Sequence, residues 1–131
     1  MLYLDASAIV KLARREPETL GLVEAIRRDP SLVSSAISWT EVIRAVRRVG
    51  GDTTRAAAVL AGLALVPIDD GIVRAAAELA PPTLRSLDAL HLATVLSLAG
   101  DVDRLVTYDG RLAEAAAAVG IDVAAPGASS E

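Results

Sequence analysis

Short apolar runs alternate along this chain with stretches whose apolar positions recur every three or four residues. Leu2–Leu4 is an apolar run that ends on a carboxylate, Asp5. From Ala6 to about Arg15, Ile9, Leu12 and Ala13 fall at i, i+3 and i+4, the spacing of one helical face. Pro17 stands where a second helix would begin; Leu20, Val23 and Ile26 continue it and Pro30 stops it. Leu32 to Ile37 reads as a short strand. Ser38 is then placed to cap a helix, with Glu41 three residues later in capping-box spacing, and Gly50-Gly51 ends it.

The alternation continues. Asp52-Thr53 opens an Ala-rich helix that ends near Gly62, and Leu63 to Ile68 reads as a strand. Asp69-Asp70 caps a helix over Ile72 to Ala80, and Pro81-Pro82 breaks the chain. A long helix from about Leu87 to Ala99, a strand from Arg104 to Thr107, a helix from Asp109 to Val119 and a short strand at Asp122 to Ala124 complete the pattern. Strands alternating with helices, joined by connections long enough for crossovers, predict an α/β domain with a mainly parallel sheet. No repeat or linker divides it. One domain over residues 1–126 is expected, with a frayed tail over 127–131.

Composition narrows the chemistry. The chain has 131 residues, 53% of them hydrophobic, enough for a core without disulfides or structural metal. There is no cysteine, which removes thiol nucleophiles and zinc–thiolate sites. Trp39, Tyr3 and Tyr108 are its only aromatic residues, which disfavours binders that stack bases on aromatic platforms. The net charge of −4 means that contact with nucleic acid needs a local basic patch or bridging cations. Neither a signal-peptide pattern nor a membrane-span pattern occurs, so an intracellular, cytoplasmic protein with no membrane contact is the expectation.

In open α/β sheets, ligands bind beyond the carboxyl ends of the strands. Asp5, Asp69 and Asp109 follow predicted strands, and Glu41 and Asp88 lie in the expected first turns of helices on that edge. Each acid alone is explained as a helix cap, for about 0.5–2 kcal/mol. Capping does not explain an acid at nearly every helix start along one edge. Several converging carboxylates repel one another unless a cation sits between them, and Mg²⁺ or Mn²⁺ suits an all-oxygen set. Such an ion supports phosphodiester hydrolysis without a His or Cys nucleophile. A haloacid-dehalogenase phosphatase would need a second Asp where Ser7 stands. A receiver domain would need an acid pair after the first strand and a late lysine, whereas the sole lysine is Lys11.

Four segments in order, LDASAIVKL, SWTEVIRAVRR, SLDALHLATVL and LVTYDGRLAEAAAAVG, resemble the PIN domain, particularly VapC-type toxins of toxin–antitoxin pairs. The resemblance runs from Leu2 to about Pro126. It implies a three-layer α/β/α fold and a Mg²⁺/Mn²⁺-dependent endoribonuclease that is held inactive by a cognate VapB-like antitoxin and usually forms a homodimer. Position by position, Asp5, Glu41, Asp88 and Asp109 match the family's four catalytic and metal-binding acids. The resemblance implies that Asp5 and Asp88 are the more central metal ligands, and that Glu41 and Asp109 bind directly, through water, or orient the attacking water. Ser7 and Thr107 match supporting hydroxyls that orient carboxylates or metal waters. A PIN scaffold that grips RNA or a partner without cutting is the alternative. A DNA-directed nuclease of the same fold is a third.

The same pattern demotes other candidates. Asp69 and Asp70 become caps, and Asp101 and Asp103 solvated loop acids. His91, a turn from Asp88, reads as a packed, hydrogen-bonded histidine rather than a catalytic one. Arg44, Arg47 and Arg48 form one basic ridge beyond Glu41, read either as a solvated face or as a contact for RNA backbone or an acidic antitoxin segment. Arg14-Arg15 and Arg27-Arg28 complement helix dipoles. Trp39 is left open between the site's edge and the core. The aliphatics of the first two helices, by the resemblance, contribute to an antitoxin groove.

Overall fold

The computed structural model describes residues 1–29 and 31–128. Five short strands, β1 (Leu2–Leu4), β2 (Leu32–Ser35), β3 (Ala64–Val66), β4 (Arg104–Val106) and β5 (Val123–Ala124), form one sheet in the order β3-β2-β1-β4-β5. Every pairing is parallel. Each strand is therefore reached by a crossover, and the crossovers carry the helices α1 (Ala6–Ala13), α2 (Thr19–Arg28), α3 (Ile37–Arg48), α4 (Thr53–Ala61), α5 (Asp70–Ala77), α6 (Ser86–Ser97) and α7 (Gly110–Ala118). A short 3-10 turn, Ala99–Asp101, follows α6.

The strand period of two divides the core between the two faces of the sheet. Leu2, Leu4 and Val106 pack with Ile9, Leu22, Val42, Val46 and Leu60 from α1 to α4. Tyr3, Val33 and Leu105 point the other way, onto Leu92, Val95 and Leu112 of α6 and α7. A satellite cluster, Ile72, Ala76, Ala89 and Ala93, joins α5 to α6. The result is the three-layer α/β/α arrangement. Helix α6 is buried over most of its circumference, from Asp88 and Ala89 through His91 to Val95, which is why its apolar residues show no single face. The scarcity of aromatics leaves a core of Leu, Val, Ile and Ala. Among the described residues its one ring–ring contact is Tyr3 edge-on to His91, centroids 5.9 Å apart.

Caps largely follow the acids. Asp5, Asp52, Asp69 and Asp109 each accept from backbone amides in the first turn of the helix that follows. Helix α3 departs from expectation. It begins at Ile37 after Ala36, with no side-chain cap, and Ser38 is buried inside its first turn, where its hydroxyl meets Ser34 Oγ at 2.7 Å. The capping box expected at Ser38 and Glu41 is therefore absent, and Glu41 lies beyond the first turn. Strand β2 ends at Ser35, earlier than its hydropathy suggested; Ser34 donates to the Leu4 carbonyl at 2.5 Å, and Ser35 Oγ accepts from the Ile37 amide at 3.2 Å, where α3 begins.

The chain stays packed one residue past the expected boundary at Pro126. Gly127 adopts φ 79° and lies so close to α2's entry that a Cβ there would meet the Glu18 carbonyl at 2.9 Å. Tyr108 donates its hydroxyl to the Pro126 carbonyl at 2.7 Å. Pro30, expected to stop α2, and the tail over 129–131 lie outside the described residues.

Candidate active site

Parallel pairing places the carboxyl ends of all five strands along one edge. Asp5 leaves β1 there and caps α1. Asp109 follows β4 and caps α7, and Asp88 lies in the first turn of α6. Glu41 reaches the same edge from α3. All four acids line a single cleft of about 770 Å³, together with Ser7, Arg44, Arg48, Arg85 and His91.

Asp5 is the most enclosed of the four, only 3% exposed. Its Oδ1 accepts from the Ser7 hydroxyl at 2.6 Å and the Ala8 amide at 3.0 Å, and its Oδ2 accepts from the Thr107 hydroxyl at 2.6 Å. Both hydroxyls are themselves aimed by backbone. Ser7 Oγ accepts from the Tyr108 amide at 2.9 Å, and Thr107 Oγ1 accepts from the Asp109 amide at 3.1 Å. The residues that follow β4 are thereby tied to the carboxylate that follows β1. Burial pushes the Asp5 carboxyl above the ordinary range, and the two hydroxyls oppose that shift by favouring the ionised form.

Glu41 is fixed by a chain that starts in the core. The Tyr3 hydroxyl meets His91 Nδ1 at 2.8 Å, and His91 Nε2 meets Glu41 Oε1 at 2.7 Å. Tyr3 and His91 are buried, and burial raises the phenol well above its usual range, so Tyr3 stays a neutral donor or acceptor. His91 is thus packed and hydrogen-bonded as expected. Its partner on the cleft side, Glu41, was not foreseen, although i, i+3 spacing from Asp88 already put the ring on the cleft side of α6.

Asp88 and Asp109 share a cation. Arg85 Nε donates to Asp88 Oδ2 at 3.3 Å, and Arg85 Nη2 donates to Asp109 Oδ2 at 2.7 Å. Asp109 Oδ1 meanwhile accepts from the amides of Arg111 and Leu112. Burial and the charge of Asp109 raise the Asp88 carboxyl, with Arg85 pulling it back. Arg85 escaped attention in the sequence; its only signal there was an arginine three residues before an acid at a helix start.

The donor set suits a hard cation: carboxylate and hydroxyl oxygens, with no sulfur. Among the described residues, however, no three His, Asp or Glu side chains converge tightly enough to hold an ion as they stand. The four acids share a cleft but are not gathered into one coordination sphere. That openness is compatible with Mg²⁺, which keeps several waters and is commonly bound through one or two carboxylates.

The remaining sequence candidates fall elsewhere. Asp69 caps α5 through the Ile72 amide at 2.8 Å, on the cap reading. Asp103, 67% exposed, bonds the Met1 amino group at the opposite edge. Arg44 and Arg48 stand at the cleft mouth, and with Arg47 line an adjoining hollow of about 310 Å³. Trp39 is 42% exposed, so it is not a core residue.

The family model described as PIN domain matches residues 2–118. The chain belongs to the PIN-domain family. Within that family it is similar to Ribonuclease VapC46 of Mycobacterium tuberculosis, at 45% identity over 95% of this chain and 97% of the relative. Ribonuclease VapC47 of the same organism is 37% identical over 98% of both chains. The PIN fold extends to solved structures at lower identity. A toxin-antitoxin complex from Klebsiella pneumoniae superposes with TM-score 0.74 at 20% identity, over 96% of this chain and 98% of that one. Mycobacterium tuberculosis VapC20, described as a Sarcin-Ricin loop cleaving toxin, gives 0.70 at 14% identity, over 92% and 96%. In this PIN domain, therefore, the quoted VapC-like segments and the fold agree across nearly the whole chain.

Proposed function

We propose that the protein is the toxin of a toxin–antitoxin pair, an endoribonuclease that uses Mg²⁺ or Mn²⁺ to hydrolyse RNA phosphodiester bonds. One observation carries the reading: Asp5, Glu41, Asp88 and Asp109, delivered by four separate elements, line one cleft in a PIN-family chain related to named ribonucleases. A bound divalent cation supplies an acidified water and neutralises charge developing on the phosphoryl group. Asp5 and Asp88 are its proposed principal ligands.

The chain's own residues prepare that chemistry. Ser7 and Thr107 hold the Asp5 carboxylate with both oxygens engaged, so it enters the reaction already oriented. Tyr3 and His91 fix Glu41, which in this reading orients the attacking water or accepts its proton. Asp109, pinned by amides at the start of α7, sets the far side of the cleft. Arg44 and Arg48 at the mouth offer cations to the RNA backbone, compensating for a net charge of −4.

The proposed antitoxin is a VapB-like chain, and a homodimer is the proposed assembly. Leu20 on α2, 67% exposed, and the half-buried Val10, Leu12, Val23 and Ile26 beside it supply apolar surface for such contacts. No helix among the described residues is long and apolar enough to cross a membrane. The proposed RNA substrate assigns the activity to the cytoplasm.

The test is RNA cleavage by purified protein with Mg²⁺, with Mn²⁺ and with EDTA, alongside Asp5→Asn and Asp88→Asn. Cleavage that requires the metal and disappears in both variants is expected. Activity that persists in EDTA and in both variants would refute the reading. RNA binding without turnover, indifferent to EDTA, would favour a non-cleaving module.

A further inference from the structure

Arg85 occupies the N-cap position of α6, where its side chain makes no cap hydrogen bond. A cation there also faces the positive end of the helix dipole, an unfavourable placement. Helix formation therefore does not explain the arginine. Its guanidinium instead spans two acids from different elements, Nε to Asp88 Oδ2 at 3.3 Å and Nη2 to Asp109 Oδ2 at 2.7 Å. The side chain is 64% exposed, while Asp88 is 10% and Asp109 22% exposed. The acids are thus held in the cleft wall, and the cation that joins them lies on the solvent side.

We propose that Arg85 is a resident counter-cation, which occupies the Asp88–Asp109 pair in the metal-free protein and is exchanged for the divalent ion when the site loads. The inference rests on the metal site proposed above. Two carboxylates facing one cleft repel unless a positive charge lies between them. Arg85 supplies that charge reversibly and keeps both acids turned toward the cleft. Asp109 Oδ1 is already engaged by the Arg111 and Leu112 amides, so a divalent ion drawn to this pair of acids would compete with the guanidinium for the carboxylate it holds. Arg85 is accordingly a positioning residue that weakens metal binding.

Isothermal titration of Mn²⁺ without RNA, into wild type, Arg85→Gln and Arg85→Lys, tests the exchange. Arg85 is exposed, so both variants are expected to fold, with circular dichroism as the check. Losing two solvent-screened pairs is expected to tighten Mn²⁺ binding by ~3–10-fold in Arg85→Gln. Arg85→Lys keeps the charge but cannot span both carboxylates as a fork does, and is also expected to bind more tightly than wild type. Wild-type or weaker affinity in Arg85→Gln overturns the proposal. Tightening in Arg85→Gln with wild-type affinity in Arg85→Lys would mean simple charge repulsion, and overturns it as well. If neither wild type nor any variant binds Mn²⁺, the metal-site reading itself falls, and the exchange falls with it.

Discussion

Replacing Thr107 with valine removes one hydroxyl and almost no volume, yet that hydroxyl has two partners in a buried position. It donates to Asp5 Oδ2 at 2.6 Å and accepts from the Asp109 amide at 3.1 Å, and Thr107 is 1% exposed. A hydrogen bond to an ionised group contributes about 1.5–3 kcal/mol, and a buried amide without an acceptor costs about 1–3 kcal/mol. The two losses share one atom and the cleft admits water to part of the site, so we expect Thr107→Val to lower unfolding stability by about 2–4 kcal/mol at neutral pH. The share belonging to Asp5 depends on its charge. Thr107 opposes the upward shift that burial imposes on the Asp5 carboxyl, so its removal raises that carboxyl further. The excess destabilisation is therefore present while Asp5 is ionised and shrinks as pH falls through its folded-state titration. Urea denaturation in EDTA across a pH series, with Thr107→Ser as the conservative variant, measures both parts. RNA cleavage should drop by about 10–100-fold in Thr107→Val and recover in Thr107→Ser. A stability loss that is independent of pH, or a serine variant as impaired as the valine one, would refute the hydroxyl's proposed hold on Asp5.

Asp5→Asn should abolish cleavage while stabilising the metal-free protein at neutral pH. A carboxyl raised by burial makes the folded state the stronger proton binder, so stability falls as pH rises from the unfolded-state value through the folded-state one. The advantage of asparagine should therefore vanish in acid, and an Asp5→Asn protein less stable than wild type at pH 7 in EDTA would contradict the burial argument. Tyr3→Phe strands His91 Nδ1 in the core and should cost about 1–3 kcal/mol in urea denaturation, with a fall in kcat as Glu41 loses its support; unchanged stability and kcat would show that the Tyr3 contact holds nothing. In a cleavage-dead Asp5→Asn background, Arg44→Gln and Arg48→Gln should each weaken RNA binding and reduce its log–log salt slope by about 0.7. A slope equal to that of the parent would remove these arginines from the RNA path.

Much of the fold was legible because strand and helix periods are local. Leu2–Leu4, the i, i+3, i+4 run after Asp5 and the acids at helix starts each predict their own element, and chain order predicts the parallel sheet. Edges were less legible where a polar residue found a long-range partner. Ser38 looks like a cap beside its neighbours, but its hydroxyl meets Ser34, which is itself fixed by donating to the Leu4 carbonyl 30 residues away. Local pattern competes with tertiary hydrogen bonds at such positions, and in a buried site the tertiary bond wins because an unpaired hydroxyl there is costly.

For the candidate site the division is similar. By itself, the sequence determined which acids follow strands, that no thiol or second histidine competes with them, and that four spaced segments resemble the PIN domain. Only the tertiary structure decided how those acids are held. Asp5 is gripped by hydroxyls at positions 7 and 107, Glu41 by a ring whose other nitrogen reaches Tyr3, and Asp88 and Asp109 by one arginine. These partners lie up to 102 residues apart. A hydrogen bond depends on ångström-scale approach and direction, which hydropathy periods do not encode. The sequence thus names the charges, and the packing of α6 and β4 against β1 determines which charge meets which donor.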